Sequence, residues 1–284
     1  MTTPESLADH FIDNLQSLPP APRILPELLE LLQDAESNGG RIADLIALDP
    51  ALTARTLKVC NSAKHRGNQP VHDLAGAVLR LGFSQIYQIV AGLIGQRTMS
   101  SAQPGYGIGA GELWQHSAAT AVAGRVLAPD IGLDSNLLFT AALLHDLGKL
   151  ALSATLQDRY DEVTARTAST SRSLLEVEQE LLGTDHAVIG GRLLERWSFP
   201  QELCEAVRHH HDPAQARNHP GLAAGVHLAD MLAHLVGFGF GHYAYAIRAH
   251  PESLSLLKLS ATDIEPLIVK TQSAMSEFEL LKTR

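Results

Sequence analysis

Positive charge, cysteine and aromatic residues are all scarce in this sequence. Its 22 Lys and Arg residues face 31 Asp and Glu residues, which gives a formal net charge of −9. We therefore expect no nucleic-acid partner, because binding to a phosphate backbone needs clustered cationic residues. The only two cysteines, Cys60 and Cys204, lie in apolar helical patterns. This pattern predicts that both cysteines are buried in the core and reduced, as is typical of cytosolic proteins.

Segments typical of export, membranes and β-sheets are missing as well. The N-terminus has neither the basic start nor the apolar stretch of a signal peptide. We expect no apolar run long enough to cross a bilayer, since Asp230 and His234 interrupt the richest region, 228–240. No segment shows the alternating pattern of a half-buried strand. We expect a cytoplasmic, all-α protein with no membrane partner.

Helical periodicity runs along almost the whole chain instead. It predicts N-terminal helices near 24–32, 42–48, 50–62, 75–81 and 83–98. Further helices are predicted near 111–128, 135–150, 157–168, 172–182, 185–197, 201–211, 219–238 and 261–280. The Gly/Pro/Ser-rich stretch 100–111 is the best candidate for a domain boundary. The prediction is a two-lobed helical protein with an N-terminal lobe (1–103), a lobe that carries the chemistry (104–250) and a helical tail (251–284).

Histidine is abundant in the second part of the sequence. Eleven of the 14 histidines lie between His116 and His250. For any one of them, a surface or hydrogen-bonded core histidine is the simpler explanation, so a metal site is argued from the set. Two aspartates strengthen it, because Asp146 follows the apolar Ala141–Leu144 and Asp230 lies within an apolar helix. A buried carboxylate is costly unless a cation meets it.

The spacing around His145 and Asp146 is informative. Neighbours on a helix diverge by roughly 100°, so these two side chains can reach two ions, or one ion if the helix ends near Gly148. Asp146 could place one oxygen on each of two metals. Lys149 can share a face with Asp146, where it would hold a phosphate oxygen; a salt bridge to Asp146 or a solvent-facing lysine is an equal alternative. Glu112 and His116, four residues apart, share a helical face; an exposed pair is an equal alternative to ligation.

The remaining candidates lie at helix ends or beside Asp230. His186 opens a helix that Gly190 and Gly191 allow to approach a neighbour closely. The run 209–211 of three histidines ends a helix and has no packing rationale, although protonated histidines would also suit a helix C-terminus. His227 and His234 lie on roughly the same face as Asp230, and we favour them as donors to it over direct ligation.

Five short motifs resemble one family. They are Leu18-Pro19-Pro20-Ala21-Pro22, Asp49-Pro50-Ala51-Leu52-Thr53-Ala54-Arg55, Asn61-Ser62-Ala63, Ala75-Gly76-Ala77-Val78-Leu79-Arg80-Leu81-Gly82 and His210-His211-Asp212-Pro213. Over about residues 10–240 the chain resembles the HDOD domain, a branch of the HD superfamily of metal-dependent phosphohydrolases. Members of this branch commonly lack several HD ligands and act as signalling modules, whereas this chain keeps them.

The resemblance implies a ligand set. His116, His145, Asp146 and Asp230 would hold one ion, and Asp146 would bridge to a second ion completed by His186, His210 and His211. Glu112 would add to one ion or hold a third, as in the HD-GYP phosphodiesterases that cleave cyclic di-GMP; the Gly-Tyr-Pro loop of those enzymes is absent from 214–221. Imidazole and carboxylate ligands suit two divalent ions, iron first, with manganese and zinc as alternatives.

Three functions remain open. The first is a phosphohydrolase or phosphodiesterase in which the metals, Asp146 and Lys149 act on a phosphorylated small molecule or nucleotide. The second is a non-catalytic signalling module with a structural or sensory metal site and a protein partner bound by the N-terminal lobe. A purely structural helical scaffold ranks last, because it leaves Asp146 and Asp230 buried without partners. Access to the metal site distinguishes the first two functions. A catalytic site needs an open coordination position on the metal and a cleft lined by Lys149, whereas a structural site would be closed.

Overall fold

A computed structural model describes residues 4–13, 24–34, 39–62, 65, 69–170, 173–239 and 252–278. These residues form helices joined by short turns and contain no strand; Gln103 and Ile108 form one isolated β-bridge. The all-α prediction is confirmed. The motif at 18–22 and Ala63 of the third motif lie outside the described residues.

The N-terminal helices are α1 (Pro4–Asp13), α2 (Ile24–Gln33), α3 (Gly39–Ala47), α4 (Pro50–Cys60), α5 (Leu74–Leu81) and α6 (Phe83–Met99). Asp49 and Pro50 define the start of α4. The Asp49 side chain accepts a hydrogen bond from the backbone N of Leu52, and Pro50 takes the first helical position. Helix α1 has no counterpart in the helices expected from periodicity.

The following helices are α7 (Glu112–Ile131), α8 (Ser135–Leu144), α9 (Gly148–Gln157), α10 (Tyr160–Thr170), α11 (Leu174–Leu182), α12 (His186–Arg196), α13 (Gln201–Arg208), α14 (Pro220–Leu235), α15 (Ser253–Leu256) and α16 (Ile264–Phe278). Helix α7 packs along α8 and α14, while α12 packs along α13 and α9. Side-chain caps set several starts, among them Asp134 at α8 and Asp185 at α12.

The helix expected over 135–150 is interrupted where the candidate ligands lie. Helix α8 ends at Leu144, the turn 145–147 follows, and α9 begins at Gly148. Gly148 packs so closely on α12 that an added Cβ would lie 1.9 Å from the carbonyl oxygen of His186. Gly190 and Gly191 also give the close approach that the sequence predicted, since a Cβ at Gly191 would lie 2.8 Å from the Cys204 carbonyl oxygen.

The buried apolar residues form a core that is continuous from Ala8 to Leu267. Helix α6 contacts both α7 and α8, so this core joins the N-terminal helices to the rest of the fold. Cys60 and Cys204 are buried and unbridged, in keeping with the prediction of reduced core residues.

One expectation about membranes needs correction. Ser135–Gln157 is long and apolar enough to cross a bilayer, although no such run was expected. No uninterrupted run of apolar residues there is long enough, but the mean hydropathy over α8 and α9 together reaches the level of a membrane-spanning helix. In the fold, 83% of the most apolar window of this segment is buried against protein, which is also how a core helix looks.

Candidate metal centre

The seven His and Asp ligands that the resemblance implies come from five elements and converge on one cluster. Those elements are α7 (His116), the turn after α8 (His145 and Asp146), α12 (His186), the end of α13 (His210 and His211) and α14 (Asp230). Six of the seven side chains are at most 2% exposed, and His211 is half-buried. Residues more than 110 positions apart therefore share one interior.

Three of these side chains form the first half of the cluster. The Nε2 atom of His116 lies 3.0 Å from Oδ1 of Asp230 and 3.3 Å from Nε2 of His145. The Nε2 atom of His145 lies 3.8 Å from the same Asp230 oxygen. A ligand atom from each of the three lies within 4.8 Å of the other two, which suits one metal ion.

Three histidines form the second half. The Nε2 atoms of His186 and His211 lie 2.8 Å apart. The His210 ring stands 3.9 Å from the His211 ring and 5.7 Å from the His186 ring, between centroids. A nitrogen from each lies within 4.8 Å of the other two. The run of histidines before Pro213 thus supplies two of these three nitrogens.

Asp146 lies between the two halves. Its Oδ2 atom is 3.5 Å from Nε2 of His145 and 3.7 Å from Nε2 of His116, whereas Oδ1 is 3.5 Å from Nε2 of His186. The two carboxylate oxygens therefore face different imidazoles. Asp146 also groups with His145 and His210 at metal-ligand spacing.

Backbone carbonyls orient three of the rings. The Nδ1–H groups of His116, His145 and His210 donate to the carbonyl oxygens of Phe238 (2.8 Å), Ala142 (2.7 Å) and Val207 (2.7 Å). Since a neutral imidazole carries one proton, these bonds leave the Nε2 lone pairs facing the cluster. This arrangement is the usual one for histidines that ligate metals.

Unsatisfied atoms and charge show that a cation fits. Asp146 Oδ1, Asp230 Oδ1 and His210 Nε2 are buried with no hydrogen-bond partner. Among the described residues four carboxylates are buried, those of Asp146, Asp185, Asp230 and Glu178, whereas Lys149 is the one buried Lys or Arg. Orphaned acceptors and excess negative charge in an interior are costly, and divalent cations would relieve both.

The pKa directions agree with this picture. Burial opposes ionisation of both aspartates, but Lys149 and three imidazoles hold the pKa of Asp146 well below its usual range. The pKa of Asp230 likewise lies well below its usual value despite burial, through the close contacts of its carboxylate with His116, His145 and His234. Burial lowers the pKa of His210 and of His211 well below the usual value. These directions favour ionised Asp146 and Asp230 and uncharged His210 and His211, the forms that bind metal.

Comparison with known proteins identifies the family. The family model described as HDOD domain matches residues 18–213. The chain belongs to the HDOD domain family. An HDOD domain protein of unknown function from Geobacter sulfurreducens shares the fold, with a TM-score of 0.78 and 24% identity over 98% of this chain and 97% of that one. A candidate phosphohydrolase from Shewanella amazonensis aligns with a TM-score of 0.73 and 22% identity over 97% of each chain.

Sequence relatives of the HDOD protein are longer chains. An uncharacterized protein of Treponema pallidum (strain Nichols) is 26% identical over 238 residues, which are 81% of this chain and 45% of that protein. Ribonuclease Y of Thermus thermophilus is 31% identical over 102 residues, 36% of this chain and 13% of the relative. The HDOD protein thus spans less than half of the length of these curated relatives.

Lys149 lies inside the cluster of this HDOD protein. Its Nζ atom is 2.6 Å from Oδ2 of Asp146, and the residue is 6% exposed. The salt bridge that the sequence left open is therefore present, and it places a cation at the centre. His211 and His234 are the more exposed of the neighbouring rings, with 12% of the His234 side chain exposed.

The structure does not bring Glu112 to the cluster. The residue is exposed in the first turn of α7, where its carboxylate accepts a hydrogen bond of 2.7 Å from the backbone N of Gly109. His234 does approach Asp230, at 3.5 Å between Nε2 and Oδ1. His227 instead donates from Nδ1 to the carbonyl oxygen of His210 at 2.8 Å and so holds the end of α13.

Sequence reasoning missed Glu178 on α11. This residue is fully buried, and its Oε2 atom accepts a hydrogen bond of 2.7 Å from Nδ1 of His186. A signal was available, because Glu178 falls on the helical stripe of Leu174, Val177 and Leu181. A carboxylate on an apolar face is the same clue that singled out Asp146 and Asp230.

Proposed function

We propose that this HDOD protein holds two divalent cations in the cluster and hydrolyses a phosphate ester with them. The observation that carries the proposal is the position of Asp146, whose two oxygens face different sets of imidazoles. One cation would take His116, His145, Asp146 and Asp230. The other would take Asp146, His186, His210 and His211. Iron suits these nitrogen and oxygen donors, with manganese and zinc as alternatives.

In the proposed reaction the metal ions and the protein side chains have separate roles. Bound divalent cations supply Lewis acidity at a phosphoryl group. Lys149 supplies a fixed positive charge beside Asp146, where it would meet a phosphate oxygen and stabilise negative charge that develops there. Lys149 and six of the seven proposed ligands are buried, which strengthens these electrostatic interactions. A substrate would have to reach them past His211 and His234, the more exposed rings.

The relatives support phosphate chemistry without identifying a substrate. The Shewanella amazonensis neighbour is a candidate phosphohydrolase, and the ribonuclease Y match is named as a nuclease. A phosphorylated small molecule or nucleotide is our proposed substrate. RNA is the less favoured one, given the net charge of −9.

Metal content is the first test. Protein stripped with a chelator and reloaded with Fe(II), Mn(II) or Zn(II) should contain two ions per chain by elemental analysis. Asp146→Asn should lose both ions or bind them far more weakly, whereas Asp161→Asn, an exposed acid on α10, should match the wild type. Glu112→Gln tests the ligand role that the resemblance implies for this exposed residue. Unchanged metal content in Asp146→Asn would overturn the proposal.

Turnover is the second test. Loaded protein would be offered bis-p-nitrophenyl phosphate, p-nitrophenyl phosphate, cyclic dinucleotides and a short RNA. Hydrolysis should require the cations, and Lys149→Met should lower the rate by about 100-fold, the typical effect of removing one transition-state donor. Metal content should be retained in Lys149→Met. A fully loaded protein that hydrolyses none of these probes would contradict the enzymatic part.

A second candidate function is a signalling module that binds a protein partner. A groove between α2 and α3 favours it. Its apolar residues Leu31, Leu45 and Leu48 are bordered by four acids, Glu27, Glu30, Asp34 and Asp44, and by Arg41, which pairs with Asp34. Leu48 is 79% exposed. A cationic amphipathic helix would match both features. Binding of a Lys/Leu model helix that weakens in Leu48→Ser, with no hydrolysis by the loaded protein, would favour this function.

A further inference from the structure

His186 differs from the other oriented rings because a carboxylate holds it. Oε2 of Glu178 accepts hydrogen bonds from the backbone N of His186 at 2.8 Å and from its Nδ1 at 2.7 Å. One oxygen therefore fixes both the start of α12 and the direction of the ring. Nε2, on the far side of the ring, lies 2.8 Å from Nε2 of His211. His116, His145 and His210 have neutral carbonyls in the same place.

The other oxygen of Glu178 is held by Tyr106. The tyrosine hydroxyl donates to Oε1 at 2.7 Å, and both residues are fully buried. Burial, and then the charge of Glu178, raise the pKa of Tyr106 well above its ordinary value, so the hydroxyl keeps its proton. Glu178 thus accepts three hydrogen bonds, one from Tyr106 and two from His186.

Tyr106 is itself fixed by tight packing. It lies in the stretch 100–111, in a short 3-10 turn (Pro104–Tyr106) closed by the bridge between Gln103 and Ile108. A Cβ added at the neighbouring Gly105 would lie 2.1 Å from the carbonyl oxygen of Ser153 on α9. The stretch that the sequence marks as a boundary is therefore packed against α9, and Tyr106 cannot turn away without unpacking it.

We propose that Tyr106 and Glu178 are positioning residues for one of the two cations, through His186. The pair keeps the His186 proton on Nδ1 and turns the Nε2 lone pair toward His210 and His211. The consequence for metal binding rests on the proposed function, whereas the three hydrogen bonds belong to the protein itself. Changing a group behind a metal-binding histidine typically weakens metal affinity by about 10–100-fold.

The first experiment needs no metal. In chelator-treated protein with ¹⁵N-labelled histidine, at alkaline pH, ring ¹⁵N shifts report which nitrogen of His186 carries the proton. The wild type should show the Nδ1–H form, with the signal assigned by its loss in His186→Gln. Glu178→Met should give a mixture of the Nδ1–H and Nε2–H forms, because it removes the oxygen that accepts from both the backbone N and Nδ1 of His186. An unchanged His186 signal in folded Glu178→Met would overturn the proposal.

The second experiment measures the affinity of each cation by competition with a chromophoric chelator, using Mn(II) or Zn(II). Glu178→Gln should bind one cation about 10–100-fold more weakly and the other as the wild type does. Tyr106→Phe should weaken the same cation less, because Glu178 keeps both bonds to His186. Tyr87→Phe is the matched control, since it removes another buried hydroxyl, 2.6 Å from the hydroxyl oxygen of Thr140.

The outcomes separate the two proposals. Equal weakening of the binding of both cations would overturn the proposal of a positioning pair. A cation affinity of Tyr106→Phe equal to that of Tyr87→Phe would overturn it as well. If the wild type binds no cation, the proposed function fails while the ring ¹⁵N shifts still decide the pair. If Glu178→Gln does not fold, Tyr106→Phe carries the affinity test alone, with circular dichroism as the check on folding.

Discussion

At the scale of single residues, Glu205 shows how one carboxylate orders a loop. Its two oxygens accept hydrogen bonds from the backbone N atoms of Arg217 (2.8 Å), Asn218 (3.1 Å) and His219 (3.0 Å). Burial works against ionisation, but these three donors lower the pKa of Glu205 below its usual value. The segment leading into α14, and hence to Asp230, depends on this side chain.

We predict that Glu205→Ala lowers the free energy of unfolding by about 1.5–3 kcal/mol, since it removes hydrogen bonds to a charged group. Urea unfolding at neutral pH measures the change. Glu202→Ala, in the first turn of the same helix α13, is the control and should cost less than about 1 kcal/mol, the value of a helix-dipole interaction. Equal losses in the two variants would show that the backbone bonds of Glu205 add nothing.

Single ligands could be predicted from the sequence where a charged side chain lies in a segment apolar enough to be buried. Asp146 and Asp230 are carboxylates in apolar segments, and such residues need a partner wherever the helices pack. Helical spacing alone is weaker, because it gives a shared face without a direction. Glu112 shares a face with His116 yet is exposed, and His227 shares one with Asp230 yet binds a backbone carbonyl.

At the scale of elements, the contact between α9 and α12 sets the geometry of the cluster. We predict that Gly148→Ala lowers the free energy of unfolding by about 1–3 kcal/mol, the usual cost of overpacking. The new Cβ would meet backbone atoms, 1.9 Å from the His186 carbonyl oxygen and 2.8 Å from the Gly190 nitrogen. Urea unfolding measures the loss, and cation affinity should fall because His186 must shift.

Gly221→Ala is the matched control for that variant. Gly221 lies in the first turn of α14, and an added Cβ meets nothing within 4 Å. Alanine there should raise stability by up to about 1 kcal/mol through helix propensity. A Gly148→Ala protein as stable as Gly221→Ala would contradict the close approach of α9 to α12.

Helix α1 docks on α12 through charge. Asp9 accepts hydrogen bonds from Arg192 and Arg196, each at 2.9 Å, and the bond from Arg192 is the main cause of its lowered pKa. A lowered pKa in the folded state adds stability above the ordinary value of 3.8. That contribution is lost as the pH falls through the folded-state pKa, since Asp9 is then protonated in both states.

We predict that Asp9→Asn is less stable than the wild type at pH 7 by about 1 kcal/mol or less, as for other partly exposed ion pairs. The difference should shrink as the pH falls below 3.8 and should also shrink in 1 M salt. Urea unfolding of both proteins across this pH range checks the sign. A difference that grows on acidification would rule out the ion pairs as its source.

The helices could be predicted from the sequence, but their first and last residues could be predicted less accurately. Periodicity gives α6 and α12 within a residue or two, because each has an apolar stripe and a clear start. The break at 145–147 could not be read from the same pattern, since apolar residues continue into α9 and close packing on α12 accompanies the turn. The 100–111 stretch has the composition of a linker, and the fixed place of Tyr106 depends on a tertiary contact with Glu178.

At the scale of the whole molecule, one continuous core joins helices from both halves of the chain to a cluster whose ligands come from five elements. Cations bound by the folded state alone would stabilise all of these elements together, by about 2.7 kcal/mol per site at 100 times the dissociation constant. We therefore predict that adding Mn(II) to chelator-treated protein raises Tm by about 5 °C or more.

Two probes measure this shift over different parts of the chain. Circular dichroism follows all helices, whereas tryptophan fluorescence reports on Trp114 in α7 and Trp197 after α12. Both should show one transition, and Mn(II) should move it equally in the two signals. The Asp146→Asn protein should show no shift. A second dichroism transition that Mn(II) leaves in place would mean that the N-terminal helices unfold independently and that the core does not couple them to the metal centre.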